Sequence, residues 1–377
     1  MSGRSRCPRA ALERTGACPG WTMRMHLLWL VPGVAIVVVT LLDVFQTVLV
    51  PRPTGRRWRP SAFITRFMWR TWGIVSSRFV GAGAREDFLG AFAPFMLVLL
   101  LVFWIASLIV GYGFLFFALR DQVKPVPGAF DALYFAGTSL LTIGYGDFSP
   151  TGPGARVLSL FAGASGFGSF SIITTFLFAL FGAYQQREAF VVMFSNRFGA
   201  PPSGLHFIET YAQLDDVDGL RTTLRDAQLF VSQVLETHLA YPILTYFRST
   251  HDEISWIAVI GTLLDASTLV LTTLDLPQKG EALIVSRLAR HFVDDFARYF
   301  RLPQDSVVGI EREEFDTAYA RMAELGIALL DRDAAWADFS EIRSTYAGRL
   351  NRLARFWSIP PAQWIGDRSF ITHGSSD

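Results

Sequence analysis

The sequence predicts an all-α membrane protein with three membrane-crossing helices, a short helix entering the bilayer between the second and third, and a C-terminal cytoplasmic α-helical domain. Three observations carry this. Residues 26–50, 91–119 and 157–184 are apolar runs long enough to cross a hydrocarbon core of roughly 30 Å, which takes about 20 residues. From Arg187 onward, apolar residues recur at three- and four-residue spacing between charges, the period of amphipathic helices. Strand-like alternation is scarce there. The organisation read from these features is a tail over 1–25, a first crossing over 26–50, an Arg-rich cytoplasmic loop over 51–90, a membrane module over 91–184 and a cytoplasmic helical domain over 185–377.

Charge divides the chain in the same way. Residues 1–184 hold 16 Lys and Arg against 7 Asp and Glu, whereas residues 185–377 hold 18 against 26. An acidic second half offers no basic stripe to phosphates, so the expected partner is the lipid bilayer and not nucleic acid. Cys7 and Cys18, both in the tail, define no disulfide framework and no zinc spacing. Lysine occurs only at Lys124 and Lys279, beside 32 arginines, which reads as the composition of a GC-rich bacterial genome. The expected location is therefore a bacterial inner membrane, crossed several times.

Taken in order, the tail carries Arg4, Arg6, Arg9, Arg14 and Arg24, an awkward load for an outside segment. A true start at Met23 or Met25 would remove most of it. A signal peptide fits poorly, because the apolar run is too long and no small-residue cleavage site follows. The first run is flawed near its far end by Asp43 and Gln46. The loop after it holds Arg52, Arg56, Arg57, Arg59, Arg66, Arg70, Arg78 and Arg85, the positive-inside signal of a cytoplasmic segment. Its middle mixes Phe63, Ile64, Phe67, Met68, Trp69 and Trp72 with arginines. That pattern is read as a helix lying on the inner membrane surface, the alternative being a solvated loop. Arg66, Arg70, Arg78 and Arg85 do not repeat at every third position, so no voltage sensor is expected.

Between the second and third runs, residues 127–141 form a helix-length segment too short to span. Thr142, Ile143, Gly144, Tyr145, Gly146 and Asp147 follow directly. Gly144 and Gly146 tolerate φ > 0 without a Cβ clash, which lets successive carbonyls of one chain face a common axis. Four such chains would stack rings of oxygens able to replace an ion's water shell.

This arrangement resembles the pore module of potassium channels, whose filter reads Thr-Val/Ile-Gly-Tyr/Phe-Gly-Asp and is matched here at all six positions. The resemblance covers residues 91–184. It implies a homotetramer in which the carbonyls of Thr142, Ile143, Gly144 and Tyr145, with the Thr142 hydroxyl, coordinate dehydrated K⁺. It also implies that Tyr145 packs outward to hold the filter and that Asp147 sits at the outer mouth. No cofactor is implied beyond K⁺ as the permeant ion, and no enzyme activity. Two departures bear on filter stability: Leu141 stands where a second Thr is common, and Phe135 where some members have a hydrogen-bonding Trp. The short helix would direct its partially negative C-terminal end at the cavity below the filter, with Asp131 suiting the opposite end. Gly163, Gly166 and Gly168 punctuate the third run. Gly166 matches a bending glycine of the family and is the candidate gating hinge, unless these small residues only allow close packing.

In the second half, amphipathic helices are expected over 220–247, 281–299, 311–330 and 336–357. Residues 254–274 are apolar enough to consider as a fourth crossing. Asp265 in the middle, several Ser and Thr, and flanking acids favour a buried core helix. His291, Asp294 and Asp295 share a helix face as a candidate metal pair, against the plainer reading of a solvated acidic face. Asp215, Asp216 and Asp218 lack the spacing and distal Glu of a calcium loop and read as a helix start. No Gly-x-Gly-x-x-Gly follows a strand, so no dinucleotide-binding domain and no regulatory ligand is identified. The competing readings are a potassium transporter subunit, disfavoured by a single pore repeat, and a non-selective cation channel. A membrane sensor or scaffold, with the acidic domain carrying the main activity, is the alternative from another class.

Overall fold

The computed structural model describes residues 28–50, 59–198, 202–249, 254–302 and 312–359. In chain order its helices are α1 (Leu30–Val48), α2 (Pro60–Phe79), α3 (Arg85–Gly90), α4 (Phe92–Ala118), α5 (Ala129–Leu140) and α6 (Pro153–Phe198). They continue as α7 (Gly204–Gln213), α8 (Val217–Ala240), α9 (Trp256–Thr272), α10 (Gly280–Tyr299), α11 (Arg312–Glu324), α12 (Arg332–Ser344) and α13 (Ala347–Phe356). A two-residue ribbon, β1 (Val123–Lys124) and β2 (Ser149–Pro150), pairs antiparallel with Val123 opposite Pro150. The chain divides into two compact units, residues 1–69 with 94–179 and residues 70–93 with 180–377.

Among the described residues, three helical stretches are long and apolar enough to cross a membrane, and only 28%, 28% and 22% of an apolar 18-residue portion of each is buried within the chain. Most of their apolar surface therefore faces away from the protein, which suits lipid or further subunits and not water. This is the predicted all-α membrane architecture. In the first unit, Leu108, Tyr112 and Phe116 of α4 pack with Phe135 and Leu140 of α5 and with Ala162 of α6. The Tyr112 hydroxyl meets Ser165 Oγ at 2.6 Å, tying α4 to α6.

Asp43, the flaw in the first run, is 3% exposed. Ser61 Oγ donates to its Oδ1 at 2.8 Å, and Trp104 Nε1 donates to its Oδ2 at 2.8 Å. The Ser61 N–H reaches Oδ2 at 3.2 Å. First-turn N–H groups of a helix have no acceptor within it, and a helix N-terminus attracts negative charge. Asp43 thus caps α2 from a different helix, and the polar residue that looked misplaced is satisfied. Arg59, just before α2, donates to Gln46 O at 3.0 Å and Thr47 Oγ1 at 3.1 Å. On α2 itself Phe63 and Phe67 stack and stay exposed, an apolar face of the kind an interfacial helix carries.

The third run is part of a longer element than expected. Its helix, α6, has 46 residues and does not break at 184/185. At 1.5 Å per residue it is about 69 Å long, more than twice a hydrocarbon core.

In the second unit α9 is the central element, buried at every position except Leu271 and packed against α7, α8, α10, α12 and α13. Its burial is supplied by its own unit, so the buried-core reading holds and the fourth crossing is not needed. Inside, Asp265 accepts from Tyr346 Oη at 2.7 Å and from Arg343 Nε at 3.2 Å. Trp256, Phe292, Phe296 and Trp357 form an aromatic cluster beside it.

The predicted helix over 336–357 is two helices. The break falls at Thr345 and Tyr346, where the Tyr346 ring must turn into the core to reach Asp265. The predicted helix over 220–247 ends at Ala240, because Tyr241 precedes Pro242 and leaves helical backbone geometry. A short 3₁₀ helix, Pro242–Tyr246, takes over.

Candidate functional site

The short helix α5 begins at Gly128, whose N–H donates to Asp131 Oδ2 at 2.9 Å, as the acidic residue near its start led one to expect. Its C-terminal turn holds the next segment. Leu141 N–H donates to Gly137 O at 2.9 Å, Thr142 N–H to Ser139 O at 3.3 Å and Ile143 N–H to Thr138 O at 2.8 Å. Beyond that point the chain leaves helical geometry. Thr142, Gly144 and Gly146 take positive φ of 56°, 62° and 85°, alternating with Ile143 and Tyr145, which do not. A side chain at Gly144 or Gly146 would be strained whatever the space around it.

The far end is tied back to the chain by the ribbon and by Gln122. Thr151 N–H and Gly152 N–H donate to Gln122 O at 2.8 and 3.1 Å, and Ala155 N–H donates to Gln122 Oε1 at 3.1 Å. The segment is thus fixed at both ends while its middle is uncovered. Leu141 and Ile143 are each 48% exposed and Tyr145 is 71% exposed.

Phe135 packs on Phe116 at 4.5 Å and on Phe148 at 6.3 Å between ring centroids. Its ring carries no donor and so adds no hydrogen bond to residues 142–147. The neighbouring Tyr134, which the sequence reading did not single out, packs on Phe148 at 6.1 Å between ring centroids. Gly166 lies where α6 passes the end of α5: a Cβ there would collide with the Leu140 carbonyl oxygen. The helix α6 runs through this position unbroken.

The weaker candidates resolve into structural roles. Asp216 caps α8 by accepting from Gly219 N–H at 2.7 Å, the helix start that was read. His291 faces Asp295 at 3.3 Å, Asp295 also pairs with Arg298, and Asp294 pairs with Arg349. Among the described residues no group of three His, Cys, Asp or Glu could hold a metal ion. Cys7, Cys18 and the tail arginines lie outside the described residues.

What the sequence reading missed is a buried charged cluster. Arg187, on α6, is 2% exposed. It donates to Glu188 Oε1 at 2.9 Å, Leu244 O at 3.1 Å and Phe247 O at 2.9 Å, and meets His238 Nε2 at 3.1 Å. Burial first, and the Arg187 charge second, hold His238 well below the usual histidine range. A neutral ring with Nε2 as acceptor is the form that suits this guanidinium.

Comparison with known proteins fits the geometry. A family model described as "Ion channel" matches residues 98–182, from within α4 through α5 and the positive-φ segment into α6. An uncharacterized membrane protein of Bacillus subtilis (strain 168), YdjJ, is 24% identical over 193 residues. That match covers 50% of this chain and 56% of YdjJ, so the chain spans little more than half of that relative's length. No solved structure matches significantly. Residues 98–182 are therefore similar to the ion-channel family, within an all-α membrane protein.

Proposed function

We propose that the chain is one subunit of a homotetrameric potassium-selective channel, multi-pass in a bacterial inner membrane and not gated by a voltage sensor. The observation that carries the reading is the alternation of φ along residues 142–146 at the end of a short helix between two spans. Alternating the sign of φ turns successive carbonyls toward one side of the strand. Thr142, Ile143, Gly144 and Tyr145 then each give one oxygen to a ring, and four chains complete it. The exposure of Leu141, Ile143 and Tyr145 supports this, since those are the positions other subunits would cover. Asp147 stands at the outer mouth, and Gly166 is the candidate hinge of the inner helix. K⁺ is cargo and no cofactor is invoked.

The topology that goes with this puts residues 51–87 inside and residues 128–154 outside. The test is reconstitution. Purified chain in K⁺-loaded vesicles is expected to release K⁺ and not to release Na⁺ from Na⁺-loaded ones, and to run as four copies in detergent. Silent vesicles or a monomer would overturn the reading.

A further inference from the structure

Residues 242–249 make contacts within the second unit that neither end of the sequence announces. On one side lies α6. Arg187 holds the carbonyls of Leu244 and Phe247, and Tyr184 Oη donates to Arg248 O at 3.3 Å. Ser249 Oγ donates to Glu188 Oε1 at 3.3 Å. The Phe247 ring sits 5.3 Å from Tyr184 and 6.1 Å from Phe181. Phe181, Tyr184, Arg187 and Glu188 recur at helical spacing, so one face of α6 is read by one short segment.

On another side lie the residues that lead into α4. Arg248 Nη1 pairs with Glu86 Oε2 of α3 at 3.3 Å, and Tyr246 packs on Phe92 at 5.3 Å. The same guanidinium donates through Nη2 to Trp357 O at 2.8 Å and Ser358 O at 3.1 Å, at the end of α13. One eight-residue segment therefore grips the run-out of the third span, the run-in of the second span and the last helix of the domain. Arg187 also stacks over Tyr184 and Trp256, at 5.2 and 5.7 Å to the ring centroids, which ties the same point to α9. A planar guanidinium with several fixed donors holds a geometry that a flexible ammonium does not. The helices α4 and α6 are each continuous, and both have residues in contact with 242–249.

We propose that residues 242–249 are the element through which the helical domain biases conduction, with Arg187 and Arg248 as its positioning residues. The proposal rests on the channel reading above. It predicts that Glu86 and Arg248 act as one unit, so that loss of either changes gating and loss of both changes it no further.

The experiment is a mutant cycle on the full-length chain in planar bilayers, using Glu86→Gln, Arg248→Gln and the pair. Each single variant is expected to shift open probability in the same direction, by about fivefold or more, the scale of an ordinary coupling between sites. The pair should match Arg248→Gln alone, with reversal potential and tetramer assembly unchanged. A merely structural role would lower stability and leave open probability where it was. Open probability unchanged in both single variants, or effects that add in the pair, would overturn the proposal. Should Arg248→Gln fail to fold, Glu86→Gln alone decides: Glu86 is 39% exposed at its side chain, and its loss spares the Arg248 bonds to Trp357 and Ser358. A wild-type chain that carries no ions overturns the channel reading and this proposal with it. A conducting wild type with unaffected variants overturns the coupling alone.

Discussion

Residues 141–147 and helix α9 present apolar side chains in opposite situations. In α9 sixteen residues are buried by neighbours from the same unit, and Asp265 in its middle is satisfied by Tyr346 and Arg343. In the other segment Tyr145 is 71% exposed, between Gly144 and Gly146 at positive φ. The contrast separates what one chain completes by itself from what it leaves open. The second unit closes on its own core. Among the described residues, the first unit presents spans that are mostly unburied and an exposed loop, an arrangement that suits lipid or further subunits.

Four experiments break or sharpen that contrast. Gly146→Ala should have the largest effect, at least about a tenfold loss of K⁺ flux, because a non-glycine residue at φ 85° costs ~1–2 kcal/mol in every subunit. Flux from reconstituted vesicles measures it, and thermal stability of the second unit should not change. Asp265→Ala should do the reverse. It leaves Arg343 buried without its carboxylate and should destabilise the helical domain by roughly 3–5 kcal/mol, read as a lowered melting temperature, with ion selectivity retained.

Asp43→Asn is smaller and tests the remote cap of α2. It replaces an acceptor-only group that serves Ser61 and Trp104 with one that accepts on a single oxygen, at about 1–3 kcal/mol. Faster hydrogen exchange over residues 60–65 is the expected signature, and unchanged exchange there would remove the capping role. The least effect concerns acid. His238 is held below its unfolded value of about 6.5, so between that value and the folded one the unfolded chain binds the extra proton. Its contribution to stability is therefore complete above about pH 6.5 and is lost as pH falls toward and through the folded value. His238→Gln should flatten this part of a melting-temperature profile.

The legible parts were those whose chemistry is local. Residues 142–147 carry their information in consecutive side chains and two glycines, and the positive φ of Gly144 and Gly146 is where it was expected. Hydrophobic period gave the spans and the existence of α8, α10 and α11. It missed the break at Tyr346, because the reason is a hydroxyl bond to Asp265, 81 positions away. It read Asp43 as a flaw for the same reason: Ser61 and Trp104 lie 18 and 61 positions off. Arg187 looked like the polar end of a span, while its acceptors Leu244 and Phe247 are 57 and 60 positions distant.

Topology is tested by labelling, and here the structure changes the choice of probe. Ser61 is buried against Asp43, so the exposed Ser77 is the better inside marker and Ser149 the outside one. In a chain lacking Cys7 and Cys18, an impermeant thiol reagent added outside should reach Ser149→Cys and spare Ser77→Cys.

The central claim is that residues 142–146 of four chains form a filter selective for K⁺. The reversal potential of reconstituted channels, measured with K⁺ on one side of the bilayer and Na⁺ on the other, tests it most directly. The account predicts a reversal potential that follows the K⁺ gradient and shifts when that gradient is changed. A current that reverses near zero under these bi-ionic conditions, or follows the Na⁺ gradient, would contradict it.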